Sequence, residues 1–139
     1  IDLLSDNLAV VAEPSSKGSG NEVDMEQILL WNPDVIIFQP GSIYETAAAD
    51  PAWAQVNAIK NGAYYEVPFG PYNWLGFPPS VQRYLGMLWM AKLLYPEAAQ
   101  FDLYAETARY FGLFYHSQLT QAQYDALVAN SIGKQAPGA

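Results

Sequence analysis

The chain has 139 residues, of which 51% are hydrophobic and 14% charged; 14 acidic against 6 basic residues give a net charge of -8. That length fits one domain with a sizeable core, and the apolar share excludes disorder of the bulk of the chain. A nucleic-acid partner and an anionic membrane surface are disfavoured for want of a basic patch, and the absence of cysteine excludes disulfides, thiolate catalysis and Cys-ligated metal centres.

In chain order, residues 1–12 read as a helix end followed by a short strand, Leu8 to Val11. Residues 13–21 (EPSSKGSGN) are rich in Gly, Ser and Pro and form a loop. Asp24 caps a helix, with Gln27 three residues on as the partner of a capping box, and Asn32-Pro33 stops it. Asp34 to Phe38 is a continuous apolar run, the pattern of a strand buried on both faces of a parallel sheet. Gln39-Pro40-Gly41-Ser42 ends that strand in a turn. Ligands of open α/β sheets bind beyond the carboxyl ends of the strands, so this turn and Ile43-Tyr44 face a possible site; an ordinary strand-to-helix connection is the competing reading.

Asp50-Pro51 starts a short helix carrying Trp53 and Val56, Lys60-Asn61-Gly62 turns, and Ala63 to Val67 is the next strand. Residues 68–79 then hold four prolines, two glycines and four aromatics in twelve residues. Such a stretch is a rigid loop, whose rings either face a ligand or fold back into the core. Ser80 caps a long apolar helix from Val81 to Tyr95, ended by Pro96. Asp102 caps a helix to about Tyr115, and Thr120 with Gln123 forms a capping box for a last helix through about Ala129. Residues 1–130 are one unit and 131–139 a frayed tail. The order predicts an α/β fold, a small and mostly parallel sheet flanked by helices.

Catalysis finds little support. His116 is the single histidine and falls at a predicted helix end, with no G-x-S-x-G elbow to serve. No H-E-x-x-H, EF-hand, Walker or G-x-G-x-x-G spacing is present. Glu22, Asp24 and Glu26 cluster where the positive end of a helix dipole favours them. The chain is therefore read as a non-enzyme without a cofactor of its own.

The segment E-V-D-M-E-Q-I-L-L-W-N-P-D-V-I-I-F resembles the second lobe of ABC-importer substrate-binding proteins for iron–siderophore complexes, haem, cobalamin and molybdate. The pattern there is Val-x-x-Glu-Gln-Leu-Leu-x-x-Asn-Pro-Asp-Val-Ile-Ile. The resemblance resumes at Asp50-Pro51-Ala52-Trp53, Ala58 to Gly62, Val67-Pro68, Gly70 to Trp74 and Pro78-Pro79-Ser80, and closes at Phe114-Tyr115-His116. It implies one lobe of a two-lobed protein joined by a long helix, with Ile1 to Leu4 as the tail of that helix and an N-terminal lobe outside this sequence. It implies an extracytoplasmic location, in the periplasm or as a lipid-anchored protein at the cell surface.

By the same resemblance, Glu26 matches a glutamate that docks on the permease. The loop before the long helix forms a lip of the ligand cleft, with Asn73 and Trp74 at positions where cobalamin-binding relatives carry an acidic residue and a Trp. Tyr72 and Phe69 stand beside them, and Gln39, Ser42 and Tyr44 line the neighbouring strand end. The sequence departs from the pattern at Gly76-Phe77, where many relatives carry an acidic–arginine pair, and near Gly20, where cobalamin-binding relatives have a Trp. An aromatic, weakly charged lip suits a metal chelate. The alternatives are an oxyanion such as molybdate, held by hydroxyls and backbone N–H groups as at Ser42 and Asn73, and a non-transport sensor or interaction domain on this fold.

Overall fold

A computed structural model describes residues 4–9, 22–76, 78 and 80–132. Asp24 opens the first helix: its carboxylate accepts from the Gln27 amide at 2.8 Å, and α1 runs Met25–Trp31. Such a cap satisfies an otherwise orphaned N–H. Asn32 ends α1 in the left-handed region (φ 43). Its side-chain carbonyl accepts from the Asn57 amide at 2.9 Å and so ties α1 to the start of α2 (Asn57–Lys60).

Between those two helices the chain makes β1 (Ile36–Phe38) and two 3-10 turns, Ala47–Ala49 and Trp53–Gln55. After α2, Gly62 (φ 68) turns the chain into β2 (Tyr64–Glu66). The strands pair in parallel with Ile36 opposite Tyr64. Three helices follow: α3 (Arg83–Leu94), α4 (Leu103–Tyr115) and α5 (Gln121–Val128). Asp102 caps α4 through the amides of Tyr104 and Ala105, and Thr120 and Gln123 complete both bonds of the capping box on α5.

Side chains alternate across the sheet, as the strand period of two requires. Ile36, Phe38 and Tyr64 enter a cluster with Tyr44, Val56, Ile59 and the inner side of α1. Ile37 and Tyr65 enter a second cluster with Trp74, Leu85, Trp89, Tyr110 and Val128, under α3, α4 and α5. Both faces are thus covered, which is why β1 carries no polar alternation. The α/β reading of the sequence holds.

Several boundaries differ from the sequence reading. Among the described residues the sheet has two strands, each three residues long, where the sequence predicts three longer ones. Leu8 and Ala9 are irregular; Val10, Val11, the 13–21 loop and residues 1–3 lie outside the described residues. α3 begins at Arg83 because residues 80–82 form a separate turn, in which Ser80 Oγ accepts from the Gln82 amide at 3.2 Å. Ser131, assigned to the tail by sequence, is buried. Its carbonyl accepts from Trp89 Nε1 at 2.9 Å, and its hydroxyl donates to the Glu66 carbonyl. Residues 133–139 lie outside the described residues.

Candidate ligand-binding site

Because β1 and β2 are parallel, the loops that leave their carboxyl ends emerge at one edge of the sheet. This edge is where α/β sheets hold their ligands. The loop after β1 carries Gln39, Ser42 and Tyr44; the loop after β2 carries residues 67–76.

The second loop is tightly built. Val67 N–H donates to the Phe38 carbonyl at 2.9 Å, which joins its start to the end of β1. Phe69 and Asn73 form an antiparallel bridge, Gly70 N–H donates to the Tyr72 carbonyl at 3.1 Å, and Trp74 N–H donates to the Pro68 carbonyl at 3.2 Å. Asn73 Nδ2 donates to Gln39 Oε1 at 2.8 Å and connects the two loops. Asn73 Oδ1 accepts from the amides of Leu75 (2.9 Å) and Gly76 (2.6 Å).

The sequence-derived site therefore divides in two. Phe69 and Tyr72 are 55% and 47% exposed on the β2 loop, and Gln39 and Ser42 are exposed on the β1 loop. Trp74 is 0% exposed and Tyr44 1%. Within this lobe both rings are therefore packed inside, beneath the surface that Phe69 and Tyr72 present. Trp74 lies beneath α3, its Nε1 donating to the Gly70 carbonyl at 3.3 Å. Tyr44 packs on Tyr64 and Phe38, with ring centroids 5.5 and 6.4 Å away. Asn73 is buried too, its side chain engaged in closing the loops rather than turned outward.

Two residues of the site escape the sequence reading. Gln82 is 0% exposed; its Nε2 donates to the carbonyls of Gly70 (2.6 Å) and Tyr72 (3.0 Å), and its Oε1 accepts from the Tyr115 hydroxyl at 2.9 Å. Arg83, at the start of α3, donates from Nε to the Leu75 carbonyl at 3.2 Å and from a terminal nitrogen to the Gly76 carbonyl at 3.5 Å. The guanidinium thus stands against the loop where the sequence lacks the acidic–arginine pair. The one signal for Gln82 was a polar residue inside an apolar helical run.

Glu26 is exposed in the first turn of α1. His116 caps the end of α4 in the left-handed region (φ 49) and is exposed. No group of three or more His, Asp or Glu that could hold a metal ion occurs among the described residues.

No protein-family model matches the chain. It is, however, similar in sequence and structure to solute-binding proteins of ABC transporters. The solved ABC transporter solute-binding protein from Sulfurospirillum deleyianum superposes with a TM-score of 0.72 at 34% identity, over 78% of this chain and 33% of that one. A periplasmic solute-binding protein from Veillonella parvula superposes with a TM-score of 0.67 at 30% identity, over 82% of this chain and 36% of that one. The molybdate-binding protein MolA of Haemophilus influenzae is 33% identical over 110 residues, 77% of this chain and 31% of MolA. The chain spans about a third of the length of the relatives it matches.

Proposed function

We propose that the chain is one lobe of the extracytoplasmic solute-binding component of an ABC importer, and that its ligand is an oxyanion of the molybdate or tungstate type. The observation that carries the reading is the edge formed by the two strand-end loops, joined by the Asn73–Gln39 bond, in a chain whose relatives are solute-binding proteins. The lobe binds and releases, and a second lobe supplies the other wall of the site. Glu26 docks the lobe on the permease.

Three features favour an oxyanion. MolA is a molybdate-binding protein by name. Burial of Trp74 and Tyr44 withdraws two rings from the surface that a planar chelate would stack on. Arg83 brings a cation to the loop, with donors beyond the two it spends on Leu75 and Gly76. The exposed rings of Phe69 and Tyr72 support the second reading, a metal chelate such as a ferric siderophore, haem or a corrinoid, held by stacking.

The test is a calorimetric or fluorescence titration of the whole two-lobed protein with molybdate, tungstate, a ferric siderophore, haem and cobalamin. The oxyanion reading expects saturable molybdate or tungstate binding that Arg83→Gln weakens about tenfold, the scale of one charge-assisted hydrogen bond. Chelate binding that survives Arg83→Gln and is lost in Phe69→Ala or Tyr72→Ala would select the second reading. No binding of any probe would refute both.

A further inference from the structure

We propose that Gln82, held in orientation by Tyr115, is the positioning residue of the ligand lip. The inference rests on the reading of residues 69–73 as that lip. Phe69 and Tyr72 flank a turn closed by two backbone bonds, Gly70 N–H to the Tyr72 carbonyl at 3.1 Å and Trp74 N–H to the Pro68 carbonyl at 3.2 Å. The less freely such a turn moves, the less its exposed rings have to be ordered anew at each binding event. Gln82 reaches the turn from below and bonds two of its carbonyls, Gly70 and Tyr72, from one amide nitrogen. Those two donations use both Nε2 hydrogens.

The orientation of that amide is fixed from the other side. Tyr115, the last residue of α4, donates its hydroxyl to Gln82 Oε1. Rotation of the amide by half a turn would set its oxygen against the two loop carbonyls, which offer it no hydrogen. The observed arrangement leaves every polar atom of this buried side chain bonded. A Leu or Met would fill the same volume without the cost of burying an amide. What only Gln supplies here is a two-pronged donor aimed at the turn and an acceptor aimed at α4. The Gly70 carbonyl also accepts from Trp74 Nε1, so the turn is pinned by Gln82 and the buried indole together.

The discriminating variant is Gln82→Glu. A carboxylate at this position still accepts from Tyr115 but repels the carbonyls of Gly70 and Tyr72. Protonated, it regains one donor. The groups that face it are the Tyr115 hydroxyl from α4, with Tyr110 behind it, the loop carbonyls, and Arg83 next in the chain, whose guanidinium is turned to Leu75 and Gly76.

Amide exchange in the two-lobed protein reads the effect without a ligand. The expected result is that the protection factors of Gly70 and Trp74 fall about tenfold in Gln82→Glu at pH 7.5 and recover as the pH is lowered, while amides within α5 stay as in the unmodified chain. The unmodified chain shows no such recovery. Tyr115→Phe, a smaller change, gives a partial loss at the same two amides with no pH dependence, and it decides the matter if Gln82→Glu does not fold. Unchanged protection of Gly70 and Trp74 overturns the proposal, as does a loss spread evenly over the chain. A parallel molybdate titration of the two-lobed protein expects weaker binding by Gln82→Glu at pH 7.5 than at pH 5.5. Absence of molybdate binding in the unmodified protein refutes the ligand reading and leaves the exchange result to judge Gln82.

Discussion

Tyr110 shows how a single buried atom sets a measurable property. Its ring stacks on Phe114 at 4.5 Å and meets Tyr115 edge-on at 5.8 Å, yet its hydroxyl makes no hydrogen bond among the described residues. Burial, with Tyr115 adding to it, pushes the phenol up to about 12 from the ordinary value of 10.0. The folded state therefore keeps a proton that the unfolded chain has lost above pH 10, and stability falls as pH rises from there towards 12. Tyr110→Phe removes an unsatisfied group while keeping the ring, so at pH 7 it is expected to be neutral or stabilising by up to about 1 kcal/mol. It should also flatten the alkaline fall. Urea unfolding at pH 7 and pH 10.5 checks both; destabilisation at pH 7 would mean that the hydroxyl holds a bond in solution. At this scale the sequence was a partial guide. It marked the aromatic loop as special, but whether a ring points in or out depends on what lies beneath it. Trp74 goes in because α3 leaves room for it, and no property of residues 68–79 alone encodes that room.

Between elements, the loop backbone comes closest to α3 at Gly86. It is buried on α3, and a Cβ added there would overlap the carbonyl oxygen of Trp74 and crowd the side chain of Leu75. In an exposed helix Gly→Ala gains about 1 kcal/mol. Here the obstructing atom is backbone and cannot swing aside, and overpacking of this kind costs roughly 1–3 kcal/mol or more. The second effect wins: Gly86→Ala should lower the urea midpoint and loosen the loop that bears Phe69 and Tyr72. A raised midpoint would show that α3 and the loop slide apart freely. Helix ends marked by side chains were legible, since Asp24, Asp102 and Thr120 cap through their own neighbours within three residues. The start of α3 was not, because the side chain of Gln82 turns to a loop ten and twelve residues back in sequence. The sheet was overestimated for a related reason. Apolar runs mark where strands can form, but ladder length is set by a partner, and β1 and β2 share only three register pairs.

For the whole molecule, the proposal assigns binding and docking to different residues, and Glu26 tests whether the two functions separate. The residue is exposed in the first turn of α1, where the helix dipole gives a carboxylate a few tenths of a kcal/mol and packing gives it nothing further. The fold therefore tolerates its loss: Glu26→Gln and Glu26→Arg should unfold within about 1 kcal/mol of the parent protein. Neither change touches the strand-end loops, so ligand affinity should also stand. Docking is another matter. An exposed carboxylate facing cations of a permease contributes steering and register, and reversal of its sign adds repulsion where there was attraction. Uptake of the bound solute by cells or permease-containing vesicles is expected to fall in Glu26→Gln and to be abolished in Glu26→Arg. Raised ionic strength should weaken uptake by the parent protein more than by Glu26→Gln, because the screened interaction is already missing from the variant. Normal uptake by Glu26→Arg would assign docking to another part of the lobe, and a parallel loss of ligand affinity would show that Glu26 acts through the binding site instead.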